Sequence, residues 1–482
     1  MGLSSSLFSG ISGLTTLGNA MSVIGDNIAN VNTVGFKSSR VTFQDVLSQT
    51  VATTAGTSQV GRGTSLADIS TSFAQGSFES TASTTDLAIG GEGFFIVREI
   101  SSDKEFYTRA GEFRFDKDGN FVNPAGYIVR GWELDEITGE DKGSITDITM
   151  SSFTSSPSET TSLTTIVNLD ADGTDNSVGD NTSLSGAWDG SDADGDGEYI
   201  ADDAYEYQTI LKVYDSLGST HDITIYFDLG EPKVGFTDPV WEYIVTCNPS
   251  EDARATAAGA HLGMLARGTI EFNTTSGQIS GAADSITCAL NDGTGFAADL
   301  DPLADITGQY FEFAPGFISG SVMAVELDFG TRFNGSEWAN DSLSTSQYAS
   351  ASTTVFQSSD GYGAGDLQSI TIGVDGAMTG QYSNGEILSL YRVALAKFQN
   401  NQGLFKDGGN LYSETRLSGN AMTGKPGSIG LGGIAPNSLE QSNVDIATEF
   451  VKMITTQRGF QANSKIITVT DQMLADLINL KR

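Results

Sequence analysis

One short segment has the spacing of a metal-binding loop. Asp192, Asp194 and Asp196, followed by Gly197, Glu198 and Asp203, put acids at loop positions 1, 3, 5 and 12 and glycine at position 6. This is the oxygen-ligand order of an EF-type Ca2+ loop, where carboxylates bind a hard cation and glycine allows the sharp turn. Asp stands where the last, bidentate Glu belongs, and no helical pattern precedes the loop. An acidic surface turn is therefore the favoured reading. Ca2+ is the one candidate cofactor, and no other is expected.

Few other side chains suggest chemistry. His221 and His261 are the only histidines, and neither is spaced with a nucleophile or a ligand set. His221 falls in the strand of a predicted hairpin, where a solvent-facing structural role is expected. Cys247 and Cys288 are too few for a disulfide framework or a cysteine metal site. They read as small buried hydrophobes, with a disulfide or a reactive thiol as alternatives. Paired carboxylates carry little weight in a chain with 61 Asp plus Glu against 25 Lys plus Arg. No P-loop occurs, and the Gly-x-Gly steps lie in turn-rich sequence. An enzyme is not expected.

The net charge of −36 disfavours nucleic acid and anionic membranes as partners. No continuous apolar run approaches the roughly 20 residues that span a bilayer, so membrane insertion is not expected. The first residues, MGLSSSLFSGISGL, lack the basic and apolar regions of a cleaved signal. Export, if it occurs, needs another route.

The elements that position these residues are of two kinds. At the N-terminus, Leu7, Leu14, Met21 and Ile28 repeat every seven residues, and Leu3, Leu17, Ile24 and Val31 hold the complementary position, interrupted by Gly10. This predicts a coiled-coil seam. Its remaining positions are small and neutral, and glycines at 10, 13, 18 and 25 each cost about 1 kcal/mol relative to Ala. Such a helix is weak alone and suits a segment that orders among other helices. At the C-terminus, Ile446, Met453, Phe460, Ile467 and Leu474 repeat likewise, with Phe450 and Ile478 widening the stripe, after a capping-type start at Ser442 and Asp445. The two helices are expected to pair.

Between them lie strands and turns. Residues 86–97 read as an apolar strand after a Gly-rich turn, and 107–132 and 369–398 alternate around Asp118-Gly119, Asp375-Gly376 and Asn384-Gly385. Residues 211–227 form a clear hairpin pattern. The expected fold is mixed and mainly β, with discontinuous nested domains and the terminal helices paired as a coiled coil. The innermost domain comprises 1–35 and 443–482, with 36–75 and 415–442 connecting. An inner β-rich domain takes 76–155 and 350–414, and an outer β-rich domain 156–349. Low-complexity stretches at 150–164 and 340–358 are the expected crossings.

The ends and flanks resemble the bacterial flagellar hook and rod family of axial proteins. The N-terminal match is Ile24-Gly25-Asp26-Asn27-Ile28-Ala29-Asn30, then Asn32-Thr33-Val34-Gly35-Phe36-Lys37. The C-terminal match is Leu439-Glu440-Gln441-Ser442-Asn443-Val444-Asp445, then Met453-Ile454 and Gln457-Arg458-Gly459-Phe460-Gln461-Ala462-Asn463-Ser464-Lys465. Chain length and Val213-Tyr214-Asp215-Ser216-Leu217-Gly218, which is similar to the opening of an outer domain, favour the hook branch over a distal-rod subunit. The resemblance implies a structural subunit that polymerises into a flexible curved tube with an axial export channel, a universal joint passing torque to a filament. It implies as partners copies of itself, hook cap, distal rod and hook–filament junction proteins, and the flagellar type III export apparatus. It also implies an extracellular place in the flagellum, continuous with the basal body. A β-rich adhesin and an acidic carbohydrate enzyme are the alternatives from other classes; neither accounts for heptads at both ends.

Overall fold

The heptad stripes at the two ends form helices. Helix α1 spans Gly2–Ala29 and helix α2 spans Ile446–Leu480, about 42 Å and 52 Å long at 1.5 Å per residue. The computed structural model describes the chain except for residues 1, 54–55, 136–137, 151, 177–182, 193–197, 231–237, 255–260, 292–305, 319–320, 429 and 481–482.

Both helix boundaries are set by side-chain chemistry. After α1, Asn30 Nδ2 donates back to the Asp26 carbonyl at 2.9 Å. Gly35 follows at φ +70°, and a Cβ there would lie 2.6 Å from the Ala110 amide nitrogen, so only glycine fits. Helix α2 starts on Asp445, whose carboxylate accepts the Thr448 hydroxyl (2.7 Å) and the Ala447 amide (3.0 Å). Those two bonds hold its carboxyl below the usual range.

The chain folds as two units, Met1–Phe153 with Leu367–Arg482, and Thr154–Asp366. In the first unit, strands from both flanks interleave. Ile128–Leu134 pairs with Ile387–Val393, Phe94–Arg98 with Leu395–Lys397, Leu87–Gly90 with Gly433–Pro436, and Phe78–Ser80 with Ser438–Glu440. This pairing makes the unit discontinuous in sequence and brings the roots of the two helices together. Ile89, Phe95, Val97, Phe121, Val129, Met378 and Val393 fill its main core. The Gly-rich turn expected in 86–97 precedes the strand Phe94–Arg98, and a further short strand lies before that turn. Gly91 and Gly93 take φ +130° and +134° and split the run into Leu87–Gly90 and Phe94–Arg98.

The second unit contains a five-stranded antiparallel meander, Tyr207–Tyr214, Thr220–Gly230, Val240–Cys247, Met264–Glu271 and Ile286–Leu290. Its alternating inward residues, among them Phe227, Trp241 and Tyr243, are fully buried. A further sheet forms around Ser162–Asp170, parallel to Val325–Asp328 and Ser346–Tyr348 and antiparallel to Thr353–Ser359. Residues 350–366, expected in the inner domain, therefore lie in the second unit. The Ser/Thr-rich runs read as crossings contain strands, because Thr and Val supply β-branched pairing partners despite their low-complexity appearance.

Candidate functional site

The terminal helices run antiparallel and in close contact. A Cβ on Gly10 would sit 3.2 Å from Ile467 Cγ1, one on Gly13 2.9 Å from the Asn463 carboxamide, and one on Gly459 3.2 Å from Leu17 Cδ1. Nearer the root, Asn27 Nδ2 donates to Glu449 Oε2 at 3.4 Å. The least exposed positions are Gly10, Thr16, Ala20, Ile24 and Asn27 on α1, and Glu449, Met453, Thr456, Gly459, Asn463, Ser464, Ile467 and Thr470 on α2.

This face is not the one that the apolar spacing predicts. Leu17 and Ile24 belong to it, whereas Leu7, Leu14, Met21 and Ile28 flank it half-buried, and Val31 lies past the helix end. The burial of Leu3 lies outside what is described. On α2, Met453 and Ile467 are half-buried, but Ile446, Phe450, Phe460, Leu474 and Ile478 are exposed. Each close approach has a glycine on one helix, with Ile467 seated against Gly10, Asn463 against Gly13 and Leu17 against Gly459, which leaves no room there for a second large side chain. The large apolar side chains therefore point elsewhere: Phe8 is 66% exposed and Ile478 68%.

At the root of the pair, an ionic cluster joins five stretches of the first unit. Lys37 Nζ binds Glu440 Oε1 at 2.5 Å and the Ala74 carbonyl at 2.9 Å, and Arg109 reaches Glu440 Oε2 at 3.3 Å and the Gly91 carbonyl at 2.8 Å. The Gly76 amide donates to the same carboxylate, and the Gly35 amide to the Glu440 carbonyl. Lys37 and Glu440 are fully buried. Burial, opposed by Glu440, lowers the pKa of both Lys37 and Arg109.

Carboxamides brace the same region. Asn27 pairs with both the amide and the carbonyl of Ser39, Gln402 with both of Thr71, and Asn443 with the Ser38 amide and the Ser72 and Ala74 carbonyls. Each carboxamide thus bonds to backbone amide and carbonyl groups as a neighbouring strand would. Phe36 is buried beneath the Lys406 ammonium, 5.5 Å from the ring centre. Ser442 accepts the Val444 amide, and Asn463 donates to the Gly459 carbonyl. Gln457, Arg458, Gln461 and Ala462 are exposed along α2, and Val444 is half-buried. Sequence reasoning missed Arg109, Gln402 and Lys406 as anchors of this region. Nothing in the 107–132 segment set Arg109 apart from Arg114 and Arg130.

The other predicted sites fare differently. Asp194 and Asp196 lie outside the described residues, Asp192 takes φ +45°, and Glu198 and Asp203 are exposed. Among the described residues no group of three His, Cys, Asp or Glu side chains is placed to hold a metal ion. His221 is not solvent-facing. It stacks on Phe317 at 3.9 Å, with Nδ1 2.7 Å from Glu251 and Nε2 3.4 Å from Asp215. Cys247 and Cys288 are both buried and form no disulfide, and burial pushes the Cys247 thiol up to about 12. Ser5–Ala29 is, by length and composition, apolar enough to cross a membrane, which the absence of a continuous apolar run had not suggested. The reason is the near-absence of charge, with Asp26 alone in the helix.

Four family models match in chain order: Flagella basal body rod protein over 7–37, Flagellar hook protein FlgE/F/G D1 domain over 88–174, Flagellar basal body protein FlaE D2 domain over 187–362, and Flagellar basal body rod FlgEFG protein C-terminal over 435–480. The chain is 34% identical to the flagellar hook protein FlgE of Borreliella burgdorferi and 33% to that of Treponema pallidum, over 99% of each chain. It is 32% identical to that of Salmonella typhimurium over 98% of each. Among solved structures, the Helicobacter pylori flagellar hook protein FlgE2 aligns with a TM-score of 0.47 at 16% identity, covering 75% of this chain and 100% of that one. With interleaved flanks, paired terminal helices and relatives matched from end to end, the chain belongs to the flagellar hook protein FlgE family.

Proposed function

We propose that this chain is a structural subunit of the bacterial flagellar hook and that it polymerises through its terminal helix pair. The observation that carries this reading is the split character of the pair. Its own contact face mixes small and polar residues with only a few aliphatic ones, Leu17, Ile24, Met453 and Ile467, while Phe8, Phe450, Val451, Ile454, Phe460 and Ile478 are left exposed. An apolar surface of that extent marks an interaction site. Helices of neighbouring copies are its natural occupants, and small neutral residues let them pack closely.

In this reading the β-rich units are carried outside the helices, and the tube bends as a universal joint that transmits torque around an axial export channel. Subunits reach the extracellular tip by the flagellar type III route, beneath a hook cap, between distal rod and hook–filament junction proteins. No cofactor has a part, and the 192–203 loop serves as an acidic turn. Calorimetric titration with Ca2+ checks that last point, with no heat expected. Deleting 1–35 and 443–482 tests the reading as a whole. The truncated chain should stay monomeric with folded β units, and continued polymerisation would refute it.

A further inference from the structure

The charge of this chain is unevenly placed. Residues 154–366 carry 34 of the 61 Asp and Glu but only 5 of the 25 Lys and Arg, which puts −29 of the net −36 in the second unit. The first unit, with the remaining acids and bases, is left at −7.

Three of the five cations are engaged within the unit. Arg254 is taken up by Asp252 at 2.6 Å and by the Asn291 and Met264 carbonyls. Arg332 pairs with Asp341 at 2.9 Å, and Arg267 donates to the Ser185 hydroxyl at 3.1 Å. Lys212 stands directly across the hairpin from Asp222. Lys233 lies outside the described residues. Acids, meanwhile, face acids. Glu312 is registered opposite Glu326, and Asp228 opposite Glu242, on adjacent antiparallel strands. Like charges directly opposite are destabilising, so the unit repels itself internally before it meets a neighbour.

Identical copies bring identical charge. With 34 acids against 5 cations, two approaching second units bring mostly like charge together, and few cations remain for salt bridges between copies. Resting on the hook-subunit reading, we infer that the second unit is an electrostatic spacer: neighbouring copies in the polymer come close only when mobile counter-ions screen them. The helix pair provides the adhesion: α1 has Asp26 as its one charge, and on α2 Glu449, Asp471 and Asp476 balance Lys452, Arg458 and Lys465, so the pair carries little net charge for salt to screen. Screening shortens the reach of the repulsion from about 10 Å at 0.1 M salt to about 3 Å at 1 M. Ionic strength therefore sets how tightly the second units pack, and with it the concentration at which the chain assembles.

The test uses the full chain, with its critical concentration for assembly measured by sedimentation from about 50 mM to about 1 M NaCl, the range over which screening changes most. A fivefold variant, Asp172→Asn, Asp203→Asn, Asp222→Asn, Glu312→Gln and Glu337→Gln, is compared with Lys212→Glu. The critical concentration of the unmodified chain should fall severalfold as salt rises. The fivefold variant should assemble more readily at low salt and respond less to salt, and Lys212→Glu should respond more. A critical concentration flat in salt, or three equal slopes, overturns the spacer while leaving the hook subunit intact. Failure to assemble at any salt removes the hook-subunit reading and the spacer with it.

Discussion

Gly13 and Asn463 are in direct contact between the two terminal helices. A Cβ on Gly13 would fall 2.9 Å from Cγ, Oδ1 and Nδ2 of Asn463, and that carboxamide is held by its bond to the Gly459 carbonyl at 3.0 Å. Gly18, on the same helix, faces open space. The two glycines should therefore answer substitution with opposite signs. Gly18→Ala recovers about 1 kcal/mol of helix propensity. Gly13→Val forces the carboxamide aside and costs about 1–3 kcal/mol through overpacking. Circular dichroism melts of the full chain read both, and equal effects at the two positions would contradict the observed contact face.

Glu440 holds two buried cations, so its removal should be felt more than that of any exposed acid. Glu440→Gln leaves Lys37 and Arg109 without their anion, and breaking one partner of a buried pair costs about 3–5 kcal/mol. Urea unfolding of the first unit should show this loss. Proteolysis should open at residues 36–76, which that carboxylate ties down through Lys37 and the Gly76 amide. A loss below about 1 kcal/mol, the scale of an exposed pair, would show that the cluster is solvated.

The helices at both ends were legible because a seven-residue repeat survives any choice of partner. Their contact face was not. Reading apolar residues as buried is sound in water, but backbone approach at Gly10, Gly13 and Gly459 decides which face turns inward. The hairpin of the second unit was legible from strict alternation, since its register buries Leu211, Val213, Ile223 and Ile225 together. The fate of His221 was not legible, because alternation says that a side chain leaves one face of a strand and not that Phe317 covers that face. The Lys37–Glu440–Arg109 cluster lay beyond any local pattern. Its members are 403 and 331 residues apart in sequence, and only the pairing of the flanking strands brings them together.

The two cysteines should be inert in the folded chain. Both are buried, and a thiol pushed up to about 12, as at Cys247, supplies almost no thiolate at neutral pH. Iodoacetamide at pH ~8, near an ordinary thiol pKa, should leave the native chain unlabelled and add two groups after denaturation, counted by mass spectrometry. Native labelling would mean that the second unit opens around Val240–Cys247.

Asp228 and Glu242 face each other across adjacent strands, and the pH response of the second unit should reveal it. Burial raises the Glu242 carboxyl above its usual 4.5; the Leu184 amide opposes this at 2.8 Å, and Asp228 and Asp175 add to the rise. An acid with a raised folded pKa takes up its proton first in the folded state. Its contribution to stability is therefore poorest at neutral pH, improves as pH falls through the raised value, and is level below about 4.5. Glu242→Gln should stabilise the unit by about 0.2–1 kcal/mol at neutral pH, the usual scale of a cross-strand charge pair, and should remove that improvement on acidification. Three of the four tryptophans lie in this unit, so fluorescence-monitored unfolding at pH 7 and at pH ~5, just above the ordinary Glu value, reads the change. Destabilisation at neutral pH would instead show that the Leu184 amide needs a charged acceptor more than the strand pair needs relief from repulsion.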